Sequence, residues 1–86
     1  MKKLWDDEAW KDYLEWQKTD KKIVSKINTL LKEIERTPFR GLGKPEPLKE
    51  NRSGLWSRRI TEYHRLVYRI NDNCIEIISC NDHYDD

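Results

Sequence analysis

LWSRRITEYHRLVYRINDNCIEIISC, residues 55–80, decides the fold, because its side chains alternate with a period of two. That alternation reads as three strands, at 55–62, 65–71 and 74–80, separated by Tyr63-His64 and by the Asn71-Asp72-Asn73 turn. On the first strand Trp56 and Ile60 point one way and Arg59 the other. On the second, Leu66, Tyr68 and Ile70 point to a core while Arg65 and Arg69 lie opposite. Arg59 and Arg65 can therefore share the solvent face of a sheet whose other face is packed.

Upstream, the period changes. Leu4-Trp5 suits a brief strand, and Asp6 or Asp7 can cap a helix with Glu8 in its first turn. Trp10, Tyr13, Leu14 and Gln17 then fall on one helical face. A second helix follows Thr19 or Asp20 and runs to about Arg36, ahead of Thr37-Pro38. Its apolar residues Ile23, Val24, Ile27, Leu30, Leu31 and Ile34 form an unbroken stripe. The two helical stripes predict core, with KTDK as the turn of an antiparallel pair. The expected architecture is α+β: one domain over residues 1–86, two N-terminal helices packed on a small antiparallel β-sheet.

A chain of 86 residues has room for one core, and its four Trp and four Tyr supply much of the bulk. Apolar runs are too short for a membrane span, and MKKLWDDEAW lacks the apolar segment of a signal peptide. A cytoplasmic protein without a membrane partner is expected. Cys74 and Cys80 lie on one strand, where their separation of roughly 20 Å far exceeds the reach of a disulfide. They are expected as free thiols, and no C-x-x-C or His cluster suggests a metal or other cofactor.

Charge is segregated. Residues 1–35 are balanced, residues 36–69 carry nine Lys and Arg against three Glu, and residues 70–86 carry five acids and no Lys or Arg. All seven arginines sit in the middle block. Arginine suits bidentate phosphate contact, so this block reads either as a solvated cationic sheet face or as a phosphate-binding groove. Before the strands, FRGLGKPEPLKENRSG is a long irregular loop with Glu46 between Pro45 and Pro47. Proline on both sides narrows the backbone and presents the carboxylate. His83 follows the last strand and can emerge at the sheet edge near Arg65. A carboxylate, an imidazole and guanidiniums are the parts that metal-free RNA cleavage needs: a base for the 2′-hydroxyl, an acid for the 5′-oxygen, and cations for the phosphoryl transition state.

The segments TPF, GKPEPLK, SGLWSRRI, HRLVY and the terminal HY, after an early W…Y…W and TDK, closely resemble the YoeB/Txe family of bacterial toxins, in the RelE/ParE superfamily. The resemblance covers nearly the whole chain. It implies a microbial-ribonuclease-like fold, ribosome-dependent endoribonuclease cleavage of mRNA in the decoding site, and neutralisation by a cognate acidic antitoxin of the YefM/Axe kind. It also implies Glu46 as general base, Arg65 at the catalytic arginine position and His83 as general acid, with Lys49, Arg59 and Tyr84 binding substrate. A homodimer is left open. Two features depart from the pattern: the chain continues to Asp85-Asp86, and Asp82 stands where an aromatic or basic residue is expected. The alternatives are a ParE-like toxin that binds gyrase, and an RNA-binding module that cleaves nothing.

Overall fold

A computed structural model of the chain describes residues 1–83. The elements are β1 (Lys2–Trp5), α1 (Asp7–Thr19), α2 (Lys21–Arg36), β2 (Glu46–Pro47), β3 (Trp56–Arg59), β4 (His64–Asn71) and β5 (Cys74–His83), with a 3-10 turn at Glu50–Arg52. The five strands form one sheet in the order β1-β5-β4-β3-β2. Strands β2 to β5 are antiparallel, as the alternation predicts. The edge strand β1 runs parallel to β5, so the sheet is mixed. No helix among the described residues is long and apolar enough to cross a membrane.

Asp20 alone separates the helices. Its backbone is extended, its N–H donates to the Trp16 carbonyl, and its carboxylate accepts from the amides of Lys22 and Ile23 at 3.0 and 3.3 Å. One residue thus closes α1 and caps α2. The β4–β5 turn needs two left-handed residues, and Asp72 and Asn73 adopt φ of 48° and 58°. Asp and Asn tolerate that region better than other side chains, which suits a two-residue hairpin.

The stripe on α2 is core: Ile23, Ile27, Leu30, Leu31 and Ile34 are buried against Leu66, Tyr68, Ile75 and Ile77. Each such aliphatic side chain contributes about 1.5–3 kcal/mol on burial. The stripe on α1 departs from expectation, because Trp10 and Leu14 remain 47% and 45% exposed while Ala9 is buried. The reason is position. Helix α1 packs chiefly on β5 near the sheet edge, so its inner face is the narrow line of Ala9, Asp12, Tyr13 and Trp16. Trp10 instead stacks on Tyr13 and meets Trp5 edge-on, with ring centroids at 5.8 and 5.6 Å.

Strand β5 carries two more residues than β4 between their shared register points: Tyr68 faces Ile77, yet Arg65 faces Asp82. Such bulges leave backbone groups without ladder partners. Side chains of α1 take them up. The Cys80 N–H donates to Asp12 Oδ2 at 3.2 Å, and Trp16 Nε1 donates to the Cys80 carbonyl at 2.9 Å. Burial raises the Asp12 pKa, and the Cys80 amide opposes that rise. Both cysteines are free; the buried Cys80 thiol is pushed up to about 12 by desolvation and by Asp12, and is chemically inert.

The cationic block needs one correction. Arg58 shares the core face of β3 with Trp56 and Ile60 and is fully buried. Its guanidinium donates to the carbonyls of Thr37, Arg40 and Leu42, and its Nε donates to the Tyr68 hydroxyl at 3.2 Å. That hydroxyl donates in turn to the Pro38 carbonyl at 2.6 Å. Arg58 is therefore the organiser of the 37–42 loop and contributes no cation to the sheet surface.

Candidate functional site

The path to Glu46 is set by a close approach. A side chain at Gly43 would meet Leu30 Cδ2 at 2.9 Å and Arg58 Cβ at 3.1 Å, and its φ of 86° is left-handed. Only glycine fits there. The Gly43 carbonyl accepts from the Arg59 amide at 2.7 Å, which ties the loop to the end of β3. Lys44, also left-handed at φ 50°, turns the chain into Pro45-Glu46-Pro47. Glu46 then pairs with Ser57, so the carboxylate stands on an edge strand rather than on a free loop.

Register places the remaining groups. Glu46, Ser57 and Val67 face one another across three strands, and Arg59, Arg65 and Asp82 do so two residues along. Alternation puts both rows on the face away from the helices. Arg59 and Arg65 are direct cross-strand neighbours, a like-charge juxtaposition that costs stability. Ser57 and Val67 are fully buried although no helix covers them. The cover is the 48–55 segment, which lies back over the sheet so that the Arg52 guanidinium reaches Asp82 at 3.0 Å. Lys49, exposed, begins the 3-10 turn in that segment. The result is a sheet face with Glu46 on its edge strand and the guanidiniums of Arg59 and Arg65 two residues along.

The structure thus brings Glu46, Arg59 and Arg65 onto one face, with Lys49 in the arch beside it. It places His83 differently. Strand β5 extends through His83, which pairs with His64, while Asp82 faces Arg65. The His83 ring lies 5.1 Å from that of His64, and His64 meets Trp16 of α1 at 5.1 Å. The imidazole is therefore on the helical side. Tyr84 lies outside the described residues. Two groups escaped sequence reasoning. Arg58 could have been found, since it shares the parity of Trp56 and Ile60; Arg52 could not, because nothing local signals that its loop folds back.

His64 has a lowered pKa, first from burial and second from the neighbouring His83. The Thr61 hydroxyl accepts from the amides of Tyr63 and His64, leaving its proton for His64 Nδ1 at 3.0 Å. A depressed histidine pKa means the unfolded chain binds the proton more readily. Stability is then full above pH 6.5, the ordinary value, and is lost as pH falls below it. Urea midpoints at pH 7.5 and 5.5 should show the wild type weaker at 5.5, with that difference reduced in His64→Gln. An equal pH dependence in both proteins would refute the assignment.

Residues 5–84 match the family model described as YoeB-like toxin of bacterial type II toxin-antitoxin system. The chain belongs to that family. Toxin YoeB of Escherichia coli K12 is 62% identical over 84 residues, spanning 98% of this chain and 100% of that protein. Toxin YoeB of Synechocystis is 56% identical over the same length, covering 98% of each chain. Among solved structures, a YoeB/ParE toxin from Agrobacterium tumefaciens superposes with a TM-score of 0.94 at 52% identity, covering 98% of this chain and 100% of that one. YoeB of Staphylococcus aureus, solved as a dimer, gives 0.92 at 49% identity, and its heterotetrameric complex with YefM gives 0.91; both cover 98% of each chain. YafQ from E. coli, 20% identical with a TM-score of 0.72 over 93% of this chain and 90% of its own, shares the fold. This YoeB-like toxin is thus a component of a toxin–antitoxin pair, and one face of its sheet carries Arg59 and Arg65 side by side.

Proposed function

We propose that this toxin is a ribosome-dependent endoribonuclease that cuts mRNA by metal-independent acid–base chemistry and so stops translation. The observation that carries the reading is the placement of Glu46, Arg59 and Arg65 on one face of the sheet. In this scheme Glu46 takes the proton from the 2′-hydroxyl, whose oxygen attacks the adjacent phosphorus as the bond to the 5′-oxygen breaks. Arg65 stabilises the charge that builds on the phosphoryl oxygens, with Arg59 and Lys49 holding the RNA backbone. His83, beside Tyr84, returns a proton to the 5′-oxygen. That role requires the end of β5 to leave its pairing with His64, because the ring now faces the helices.

The cationic face also suits an acidic antitoxin segment, which would exclude RNA by occupying the same arginines. The S. aureus relative, solved both with YefM and as a dimer, supports a YefM-like partner and leaves self-association as a second assembly. The test is single-turnover cleavage of one message, free and in programmed ribosomes. This small sheet face alone does not fix a flexible strand for in-line attack, and the decoding site would supply that orientation. Cleavage should be far faster on the ribosome, with ends that map to the decoding site. Equal rates for free and bound message would refute the ribosome requirement, and an absence of cut ends would refute the enzyme.

A further inference from the structure

The Asp82 carboxylate is gripped from two sides. Its Oδ1 accepts from the Arg52 guanidinium at 3.0 Å, and its Oδ2 accepts from Arg65 Nε at 3.0 Å and from a terminal nitrogen of Arg65 at 2.6 Å. The cluster is well shielded, with the side chains of Arg65 and Asp82 only 11% and 20% exposed. The two arginines come from unrelated places, the arch over the sheet and strand β4, and converge at this anion. A carboxylate with each oxygen turned to a guanidinium takes the positions that two non-bridging phosphate oxygens would take. Asp82 lies in register with Arg65 on the neighbouring strand, so its carboxylate stands directly against that guanidinium.

We propose that Arg52 and Arg65 form a two-guanidinium phosphate site for the RNA backbone, and that Asp82 fills this site in the free toxin as a built-in competitor. The proposal rests on the RNA-cleaving reading above and adds two residues to it: Arg52 as a phosphate ligand, and Asp82 as the group that RNA displaces. Competition weakens apparent affinity by the fraction of protein with the site open, so an Asp82-filled state of about 90% costs about tenfold. A competitor tethered at the site spares the cationic face from binding small phosphates. A strand that offers several phosphates at once overcomes it.

The experiment is anisotropy with a 2′-O-methyl oligoribonucleotide, which lacks the attacking hydroxyl and reports binding alone. Asp82→Asn should bind about tenfold more tightly than wild type. Its dependence on salt should steepen by about 0.7 in logarithmic slope for each additional phosphate that the opened site neutralises. Asp82→Ala, carried in parallel, should show the same gain. Glu15→Gln makes the same change of net charge on the exposed side of α1, and should gain much less. Arg52→Ala should cost more binding in the Asp82→Asn background than in wild type, since in wild type the guanidinium is already engaged. Wild-type binding that neither Asp82 variant improves, or an equal gain from Glu15→Gln, overturns the competitor. An undiminished gain in the Arg52→Ala/Asp82→Asn double variant removes Arg52 from the site. Failure of all variants to bind the oligonucleotide overturns the phosphate site itself, while the cleavage reading stands or falls on the programmed-ribosome experiment.

Discussion

Glu46→Gln is expected to slow single-turnover cleavage of ribosome-bound message by about 10²–10⁴-fold, the usual worth of a general base. The substitution keeps the shape of the side chain and its place opposite Ser57 on the β2 edge, so folding should be unchanged. Ribosome binding should also stay near wild type, because the cations of the face remain. Arg65→Ala should cost a similar order in rate, since its guanidinium is proposed to act as the phosphorane forms. The two should differ in one respect. Losing Arg65 also removes one of the two guanidiniums that hold Asp82, so that variant should show altered RNA affinity where Glu46→Gln does not. His83→Ala should lower the rate more mildly if water can donate the proton, and Lys11→Ala on the helical side should leave it unchanged. Cleavage by Glu46→Gln at the wild-type rate would remove the base assignment and favour a protein that binds RNA without cutting it.

The largest effect on stability should come from Arg58→Ala, at about 4 kcal/mol in urea denaturation. Arg58 is fully buried, and its removal takes a donor from the carbonyls of Thr37, Arg40 and Leu42 and from the Tyr68 hydroxyl, which keeps its own bond to Pro38. Each orphaned group carries its own desolvation penalty, and the cavity left by the side chain adds to it. Arg58→Lys should recover only part of the loss, because a single ammonium cannot span oxygens that a planar fork reaches together. Folded Arg58→Lys should also cut RNA poorly, since the loop it anchors leads through Gly43 to Glu46. A loss below about 1 kcal/mol for Arg58→Ala would mean that the loop repacks without the guanidinium.

The helices and the meander were legible because each rests on a period: 3.6 for Ile23 to Ile34, two for Leu66 to Ile70. The roles proposed for Glu46 and Arg65 come from the resemblance, whereas the shared face of Arg59 and Arg65 was legible through alternation. What the sequence hid depends on long-range packing. The strand expected to stop at Cys80 runs on to His83, because Asp12 and Trp16 take up the backbone groups its bulges release. Those two extra residues decide which of Asp82 and His83 faces Arg65. A one-residue change of register reverses the answer, so no local pattern could have given it. Trp10 and Leu14 misled for a related reason. Their helical spacing is real, but α1 sits where only a narrow line of its surface meets the sheet.

The pairing of β1 with β5 bears on how this toxin is made. Strand β5 lies between β1 and β4, donates Ile75, Ile77 and Cys80 to the core, and is synthesised after every other element of the domain. Until it emerges, β1 has no strand to pair with, α1 has no sheet to pack on, and Arg65 has yet to meet Asp82. Pairings between the two ends of a chain form late and slow the folding of small domains. A nascent chain whose β5 is still inside the ribosome therefore lacks the strand that joins β1 to β4. The sheet is completed only once the whole domain has emerged.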